Sequence, residues 1–145
     1  MTLFSSELEF VIENSINMNK LIIDVDKEKI FLMIITNNNI YNITHDNTKI
    51  NYEKLTLIII GFLEDQNLKI NDINKIYVNV GSGSFSGIRN SLSIVKAFNV
   101  AKKIEYYCYS LDDFKGEKNI TYENIPNLCE KYKIKKNLIN SIYMS

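Results

Sequence analysis

The chain has 145 residues, with 17 basic and 17 acidic side chains, so its formal net charge is zero. This length is enough for one ordinary domain with its own core, and too short for two full lobes. The balanced charge excludes a global field that would draw the chain onto nucleic acid or an anionic membrane. Any contact with RNA must therefore be local or made through a partner.

Metal centres and membrane spans are also disfavoured. Cys108 and Cys129 have no C-x-x-C spacing, and His45 is the single histidine, so no set of metal ligands is apparent. The longest apolar stretch, 57–63, is far shorter than the roughly 20 residues of a membrane span. Acidic residues from Glu7 to Glu13 interrupt any apolar signal segment. We expect a cytoplasmic protein with reduced thiols and with no metal, cofactor or membrane partner.

Residues 1–18 are predicted to form an N-terminal extension. Ser6 and Glu9 have the spacing of a capping box, and the residues Phe4, Leu8, Val11 and Ile12 recur at helical spacing. This pattern predicts a helix that covers apolar surface, either in this chain or in a partner. Met18 is an alternative initiator of a shorter product.

Three strands are predicted next, over 21–25, 30–36 and 40–44, with Asn37, Asn38 and Asn39 as a hairpin tip because asparagine tolerates left-handed backbone. A helix over 50–67 follows, and its apolar face includes Leu55, Ile59, Phe62 and Leu63.

A fourth strand over 75–80 leads into a glycine-rich turn and a second helix. That helix carries two apolar lines, namely Ile88, Leu92 and Val95, and Ile94, Phe98 and Ala101. Two interpretations stay open: the two helices cover each other and the sheet, or they leave an exposed surface for a partner.

The glycine-rich turn, residues 81–89, holds three of the five glycines of the chain. A strand, a glycine turn and a helix N-terminus together favour anions. The third glycine, however, arrives one residue late for G-x-G-x-x-G, and no Gly-Lys-Ser/Thr ends the turn as a P-loop requires. Ser84 and Ser86 also lack the flanking glycines of a nucleophile elbow. We find no catalytic constellation in the sequence.

The same residues resemble the GPGSFTGxRxG signature of the TsaB (YeaZ) family. Six positions of that signature stand unchanged, namely Gly81, Gly83, Ser84, Phe85, Gly87 and Arg89. Ser82 replaces its proline, Ser86 its threonine and Ser91 its last glycine. Weaker likenesses occur at Asp24 after the first strand, at Glu53, and at 108–111, so the resemblance covers about 20–111.

The resemblance implies an α/β fold, namely an actin-like or ribonuclease-H-like (ASKHA) N-terminal lobe with a mixed sheet and two main helices over 19–114. Residues 115–145 would be a reduced C-terminal segment. The residues themselves predict a polar loop over 112–119 and a short helix over 122–133. In this interpretation Gly81, Gly83 and Gly87 form a structural elbow, and Phe85 fixes it against the sheet.

The function implied by the resemblance is that of a non-catalytic scaffold in the threonylcarbamoyladenosine modification of tRNA. Such a chain pairs with the catalytic paralogue TsaD, the ATPase TsaE joins the assembly, and tRNA is contacted indirectly. A homodimer through the same pairing surface is the alternative when the partner is absent. The surface is predicted to consist of Leu55, Ile59, Phe62, Leu63, Ile88, Leu92 and Val95.

Two alternatives remain at this point. One is a small phosphate- or nucleotide-binding enzyme that uses the turn 81–87 together with Asp24. The other is a degenerate regulator that occupies the partner's surface without supporting modification.

Overall fold

The computed structural model describes residues 18–81 and 86–139, together with the backbone of Phe85. The helix predicted within residues 1–18 lies outside the described part of the chain, apart from Met18. Ser82, Gly83, Ser84 and the side chain of Phe85 lie outside it as well.

One mixed sheet of five strands organises the molecule. The strands are β1 (Lys20–Val25), β2 (Lys29–Ile35), β3 (Ile40–Asp46), β4 (Lys75–Asn79) and β5 (Glu105–Tyr109), in the spatial order β3-β2-β1-β4-β5. The first three strands are antiparallel neighbours, whereas β4 and β5 run parallel to β1. The predicted strands and the mixed sheet are therefore confirmed.

The hairpin between β2 and β3 forms where the sequence predicts it, for a different reason. The Thr36 amide donates to the Asn39 carbonyl at 2.9 Å, and the Asn39 amide donates to the Thr36 hydroxyl at 3.0 Å. Residues with positive φ occur elsewhere among the described residues, and Asn37, Asn38 and Asn39 are not among them. A threonine side chain thus closes this turn, and left-handed asparagine backbone does not.

The helix predicted over 50–67 is divided into α1 (Lys49–Glu53) and α2 (Leu55–Asp65). Lys54, with φ −102° and ψ 15°, interrupts the helix between them. Because α1 buries no side chain and α2 buries four, the break lets α2 face the sheet while α1 stays on the surface. Thr48 caps α1 by accepting from the Asn51 amide at 3.1 Å.

Two further helices complete the described chain. The longer is α3 (Phe85–Lys102), which follows the glycine turn, and the shorter is α4 (Ile125–Lys131). Short 3-10 turns at Leu111–Phe114 and Tyr122–Asn124 stand where the sequence predicts a polar loop and the start of a helix.

The helix-side core lies between the sheet and the helices α2 and α3. Strand side chains alternate between the two faces of a sheet, and on this face β1 places Leu21, Ile23 and Val25. The helices contribute a further seven buried side chains, namely Leu55, Ile59, Phe62, Leu63, Ile88, Leu92 and Val95.

The opposite face of the sheet is covered by the chain after β5. Ile22, Met33 and Tyr77 from the strands pack with side chains of that segment in the outer-face core, to which the segment contributes Phe114, Ile125, Leu128 and Cys129. The predicted boundary between residues 114 and 115 stays a prediction. The structure shows that side chains from both sides of it share one buried cluster.

Candidate functional site at the carboxyl edge of the sheet

Three polar side chains meet at one edge of the sheet. Asp24 lies near the end of β1, Asn79 ends β4 and Tyr109 ends β5. Because these strands are parallel, their carboxyl ends share an edge, which is the usual place for a site in an open α/β sheet. Alternation along each strand also places all three on the face covered by the C-terminal segment.

Asp24 is the centre of a hydrogen-bond network. Its Oδ2 atom accepts from the Tyr122 hydroxyl at 2.7 Å and from the Asn79 side-chain amide at 3.3 Å. Burial, the hydrogen bond to Asp24 and the nearby carboxylate charges raise the pKa of Tyr122 well above its ordinary value. The Tyr122 ring also stacks on Phe31, with centroids 4.1 Å apart. The C-terminal segment is thereby attached to the end of β1.

Asn79 connects this network to the glycine turn. Its Oδ1 atom accepts from the Gly81 amide at 2.9 Å. A Cβ atom on Gly81 would lie 2.9 Å from the Cβ of Ser110, which is closer than two such atoms approach. A glycine is therefore required where the chain leaves β4 beside the end of β5.

The other residues of the turn lie around the start of α3. Gly87 is buried, and its carbonyl accepts from the Ser91 hydroxyl at 2.9 Å. Arg89 is exposed in the first part of the helix. The predicted roles of Gly83, Ser84 and Phe85 concern residues or side chains outside the described part of the chain, and they stay predictions.

A cavity of about 400 Å³ opens beside the network. Besides Asp24, Asn79, Tyr109 and Tyr122, its walls include the apolar residues Leu111, Ile120 and Ile125 and the acidic residue Glu123. The Tyr109 hydroxyl is buried and has no hydrogen-bond partner among the described atoms. This orphaned hydroxyl distinguishes the cavity from an ordinary surface depression.

Asp26 does not belong to this network, because its side chain stabilises the turn between β1 and β2. Its carboxylate accepts from the amides of Glu28 and Lys29 at 2.8 and 2.7 Å. Within the described residues, no group of three or more His, Cys, Asp or Glu side chains is placed to hold a metal ion. Burial raises the pKa of the thiols of Cys108 and Cys129 to about 12, so both are protonated and weakly nucleophilic at neutral pH.

The seven residues predicted to bind a partner are buried in the chain's own core. They are Leu55, Ile59, Phe62, Leu63, Ile88, Leu92 and Val95, and none is more than 4% exposed. Apolar side chains at helical spacing fit an internal core as well as an interface, and here the sheet takes them. Burial excludes these side chains as an accessible surface in this structure, and partner binding by the two helices stays a prediction that other residues must carry.

Sequence analysis missed Asn79, Tyr109 and Tyr122. Asn79 and Tyr109 carry a usable signal, because each is polar and stands at the end of a strand expected to run parallel to β1. Tyr122 carries none, since its meeting with Asp24 depends on how the C-terminal segment folds back over the sheet.

No described helix combines the length and the apolar character needed to cross a membrane.

No protein-family model matches the chain. No curated protein matches it either. Solved structures do: YeaZ from Pseudomonas aeruginosa superposes with a TM-score of 0.59 at 15% identity, covering 64% of this chain and 44% of that one. A second structure, described as an uncharacterized protein with similarity to peptidase YEAZ from the same organism, gives the same TM-score and identity and is covered over 43% of its length. The chain therefore spans less than half the length of these proteins.

The similarity to the RuvC protein of T. thermophilus, solved in complex with a Holliday junction substrate, extends over a larger share of both chains. The TM-score is 0.50 at 11% identity, with 86% of this chain and 84% of that one covered. At such low sequence identities, the structural similarity establishes the fold alone. The predicted ribonuclease-H-like α/β fold is thus confirmed, and the resemblance to the TsaB (YeaZ) family is confirmed as a likeness of fold.

Proposed function

We propose that this chain is a non-catalytic scaffold that pairs with a TsaD-like catalytic subunit, with a TsaE-like ATPase joining them, in the threonylcarbamoyladenosine modification of tRNA. The observation that carries the proposal is the sequence motif from Gly81 to Arg89, in which six positions match the family signature. It stands at the junction of β4 and α3, within a fold shared with YeaZ.

The helix-pair surface, by which we mean the outward sides of α2 and α3, is the proposed contact with the catalytic subunit. Leu57 is 67% exposed, Ala97 is exposed, and Ile60, Ile94 and Phe98 are partly exposed. In the TsaB family, which this chain resembles, two N-terminal helices pair with the catalytic paralogue. The buried side chains beneath would then hold the two helices in position.

Gly61 lies in α2, about one turn after Leu57. It is a second observation in favour of the helix-pair surface as a binding surface. A Cβ atom at this position would have no neighbour within 4 Å among the described residues, so their packing does not require glycine there. Glycine inside a helix costs about 0.5–1 kcal/mol relative to alanine. The close approach of a partner helix to bare backbone would account for it.

Co-expression with the TsaD-like subunit of the same organism tests the proposal. We expect the wild-type chain to co-purify with that subunit, and Leu57→Asp to weaken the complex by at least about tenfold because it places a charge in a desolvated contact. Leu138→Asp is the matched control, since Leu138 is 58% exposed and lies outside α2 and α3. A wild-type chain that forms no complex overturns the proposal, and equal loss in both variants overturns the assigned surface.

The alternatives differ in their support. A phosphate- or nucleotide-binding enzyme would place anionic groups at the carboxyl edge, where Asp24 and Glu123 line the cavity and repel them. A degenerate regulator would use the same helix-pair surface. Modification of tRNA by the reconstituted complex, with and without this chain, separates a regulator from a scaffold.

A further inference from the structure

The cavity at the carboxyl edge has a defined electrostatic character. Its lining residues include the acidic residues Asp24 and Glu123, and none of the described residues that line it is lysine, arginine or histidine. A ligand that carries negative charge would be repelled and would find no cation to pair with. A ligand with a positive charge or with N–H donors would be attracted.

Asp24 has acceptor capacity left for such a ligand. The two hydrogen bonds from Tyr122 and Asn79 both end on Oδ2. A carboxylate offers about four lone-pair sites on its two oxygens. The same hydrogen bonds hold the carboxylate in one orientation, so a donor on the ligand would meet a preorganised acceptor.

The Tyr109 hydroxyl is a second, independent indication that the cavity binds a ligand. Tyr109 is 1% exposed, its hydroxyl has no partner among the described atoms, and the residue lines the cavity. Burial and then the charge of Asp24 raise its pKa well above the ordinary value, so the hydroxyl is neutral at neutral pH. A buried hydroxyl without a partner is costly, and a ligand that bonds to it removes the cost.

The remaining walls are apolar or aromatic. Leu111, Ile120 and Ile125 line the cavity, and Tyr122 is held against Phe31. The volume of about 400 Å³ is at the small end of the range for ligand pockets. These walls suit a compact apolar body.

We propose that this cavity binds a small organic cation, namely a primary amine on a compact apolar or aromatic body. The ammonium group pairs with Asp24, and a small movement of the cavity wall lets the Tyr109 hydroxyl, which is buried in this structure, accept a second N–H. The site is independent of the helix-pair surface, because it lies on the other face of the sheet.

An NMR titration of the full ¹⁵N-labelled chain at neutral pH tests the proposal. The probes are 2-phenylethylamine as the cation, 2-phenylethanol as a neutral analogue and 3-phenylpropanoate as an anionic analogue. We expect the amine to produce saturable amide shifts at Asp24, Asn79 and residues 120–125, with at least about tenfold higher affinity than either analogue. Equal shifts with all three probes, or no saturable shift with the amine, overturn the proposal.

Two variants assign the contacts. Asp24→Asn removes the charge but keeps an oxygen that accepts from Tyr122, and it should lower amine affinity at least about tenfold. Asp65→Asn is its control, because it makes the same change in net charge at the end of α2. Tyr109→Phe should lower the affinity severalfold without unfolding the chain. If Asp24→Asn and Tyr109→Phe bind the amine as the wild type does, the assignment is wrong.

Discussion

The hydroxyl of Tyr109 is buried at the carboxyl edge with no hydrogen-bond partner in the described part of the chain, whereas that of Tyr122, in the same cavity, bonds to Asp24. The same chemical group, a phenolic hydroxyl, is therefore unsatisfied at Tyr109 and hydrogen-bonded at Tyr122. An unsatisfied buried polar group costs about 1–3 kcal/mol, and a hydrogen bond to a charged group contributes about as much with the opposite sign.

The same substitution should accordingly have opposite effects at these two positions. Tyr109→Phe is expected to raise the free energy of unfolding of the isolated chain by about 1 kcal/mol, and Tyr122→Phe to lower it by about 1 kcal/mol. Urea denaturation followed by circular dichroism measures both. Each variant is the other's control for the loss of one oxygen, and shifts of the same sign would contradict the assignment.

At the scale of single residues, the close backbone approach predicted for the glycine turn is observed at Gly81. Clustered glycines mark a close approach of backbone, and Gly81 indeed lies against Ser110. The network around Asp24 was not predictable in the same way. Asp24 and Tyr122 are far apart in the sequence, and their meeting is set by the path of the C-terminal segment rather than by any local pattern.

Among the elements, α2 contains a glycine, Gly61, that the packing of the described residues does not require. No other described residue occupies the space where a side chain of residue 61 would stand, and Gly61 lies inside a helix. Alanine reduces the entropy of the unfolded chain and favours the helix.

Gly61→Ala is therefore expected to raise the free energy of unfolding of the isolated chain by about 0.5–1 kcal/mol. Thermal or urea unfolding of the variant without its partner measures this effect. If a helix of the partner packs against α2 at Gly61, the same substitution should weaken the complex with that partner. A destabilised isolated chain would mean that the glycine has an internal role.

Elements were predictable where one apolar pattern held throughout, and less so where two patterns joined. The short, nearly continuous apolar runs of β1 and β2 and the helical spacing of α3 gave correct elements, because both faces of these strands are buried and α3 packs one side on the sheet. The break at Lys54 was missed, since nothing in residues 50–67 interrupts the apolar spacing. The seven apolar residues of α2 and α3 were correctly assigned to one face, but the pattern could not distinguish this chain's sheet from a partner.

Considered as a whole, the molecule covers both faces of its sheet with its own chain. The helix-side core takes Leu21 and Ile23, and the outer-face core takes Ile22, with Phe114, Ile125 and Leu128 of the C-terminal segment packed over it. A segment of modest length thus suffices to cover a face that would otherwise expose large apolar side chains.

The outer-face core also makes the stability of the whole chain sensitive to alkali. Burial raises the pKa values of Tyr77 and Tyr109, and likewise that of Tyr122, above the value of 10.0 expected in an unfolded chain. The fold therefore keeps its full stability below about pH 10, where these hydroxyls are neutral in both the folded and the unfolded chain. As the pH rises above about 10 the unfolded chain loses protons first, so the free energy of unfolding falls.

Thermal unfolding between about pH 8 and about pH 11 should show this fall, with a slope approaching about 1.4 kcal/mol per pH unit for each tyrosine involved. Tyr77→Phe removes one such group and should make the alkaline limb less steep. Stability that stays constant above pH 10 in the wild type would contradict the expectation.

The central position of β1 has a consequence for the order in which the chain folds. On one side Lys20 pairs with Ile35, which is close in sequence, and on the other side it pairs with Lys75, which is not. Closing a long loop costs more chain entropy than closing a short one, so the meander of β1, β2 and β3 can assemble early and locally. The parallel half, and with it the carboxyl edge that carries Asp24 and Asn79, can only be completed afterwards. Substitutions in β2 and β3 should then slow refolding, whereas those in β5 and the C-terminal segment should mainly speed unfolding.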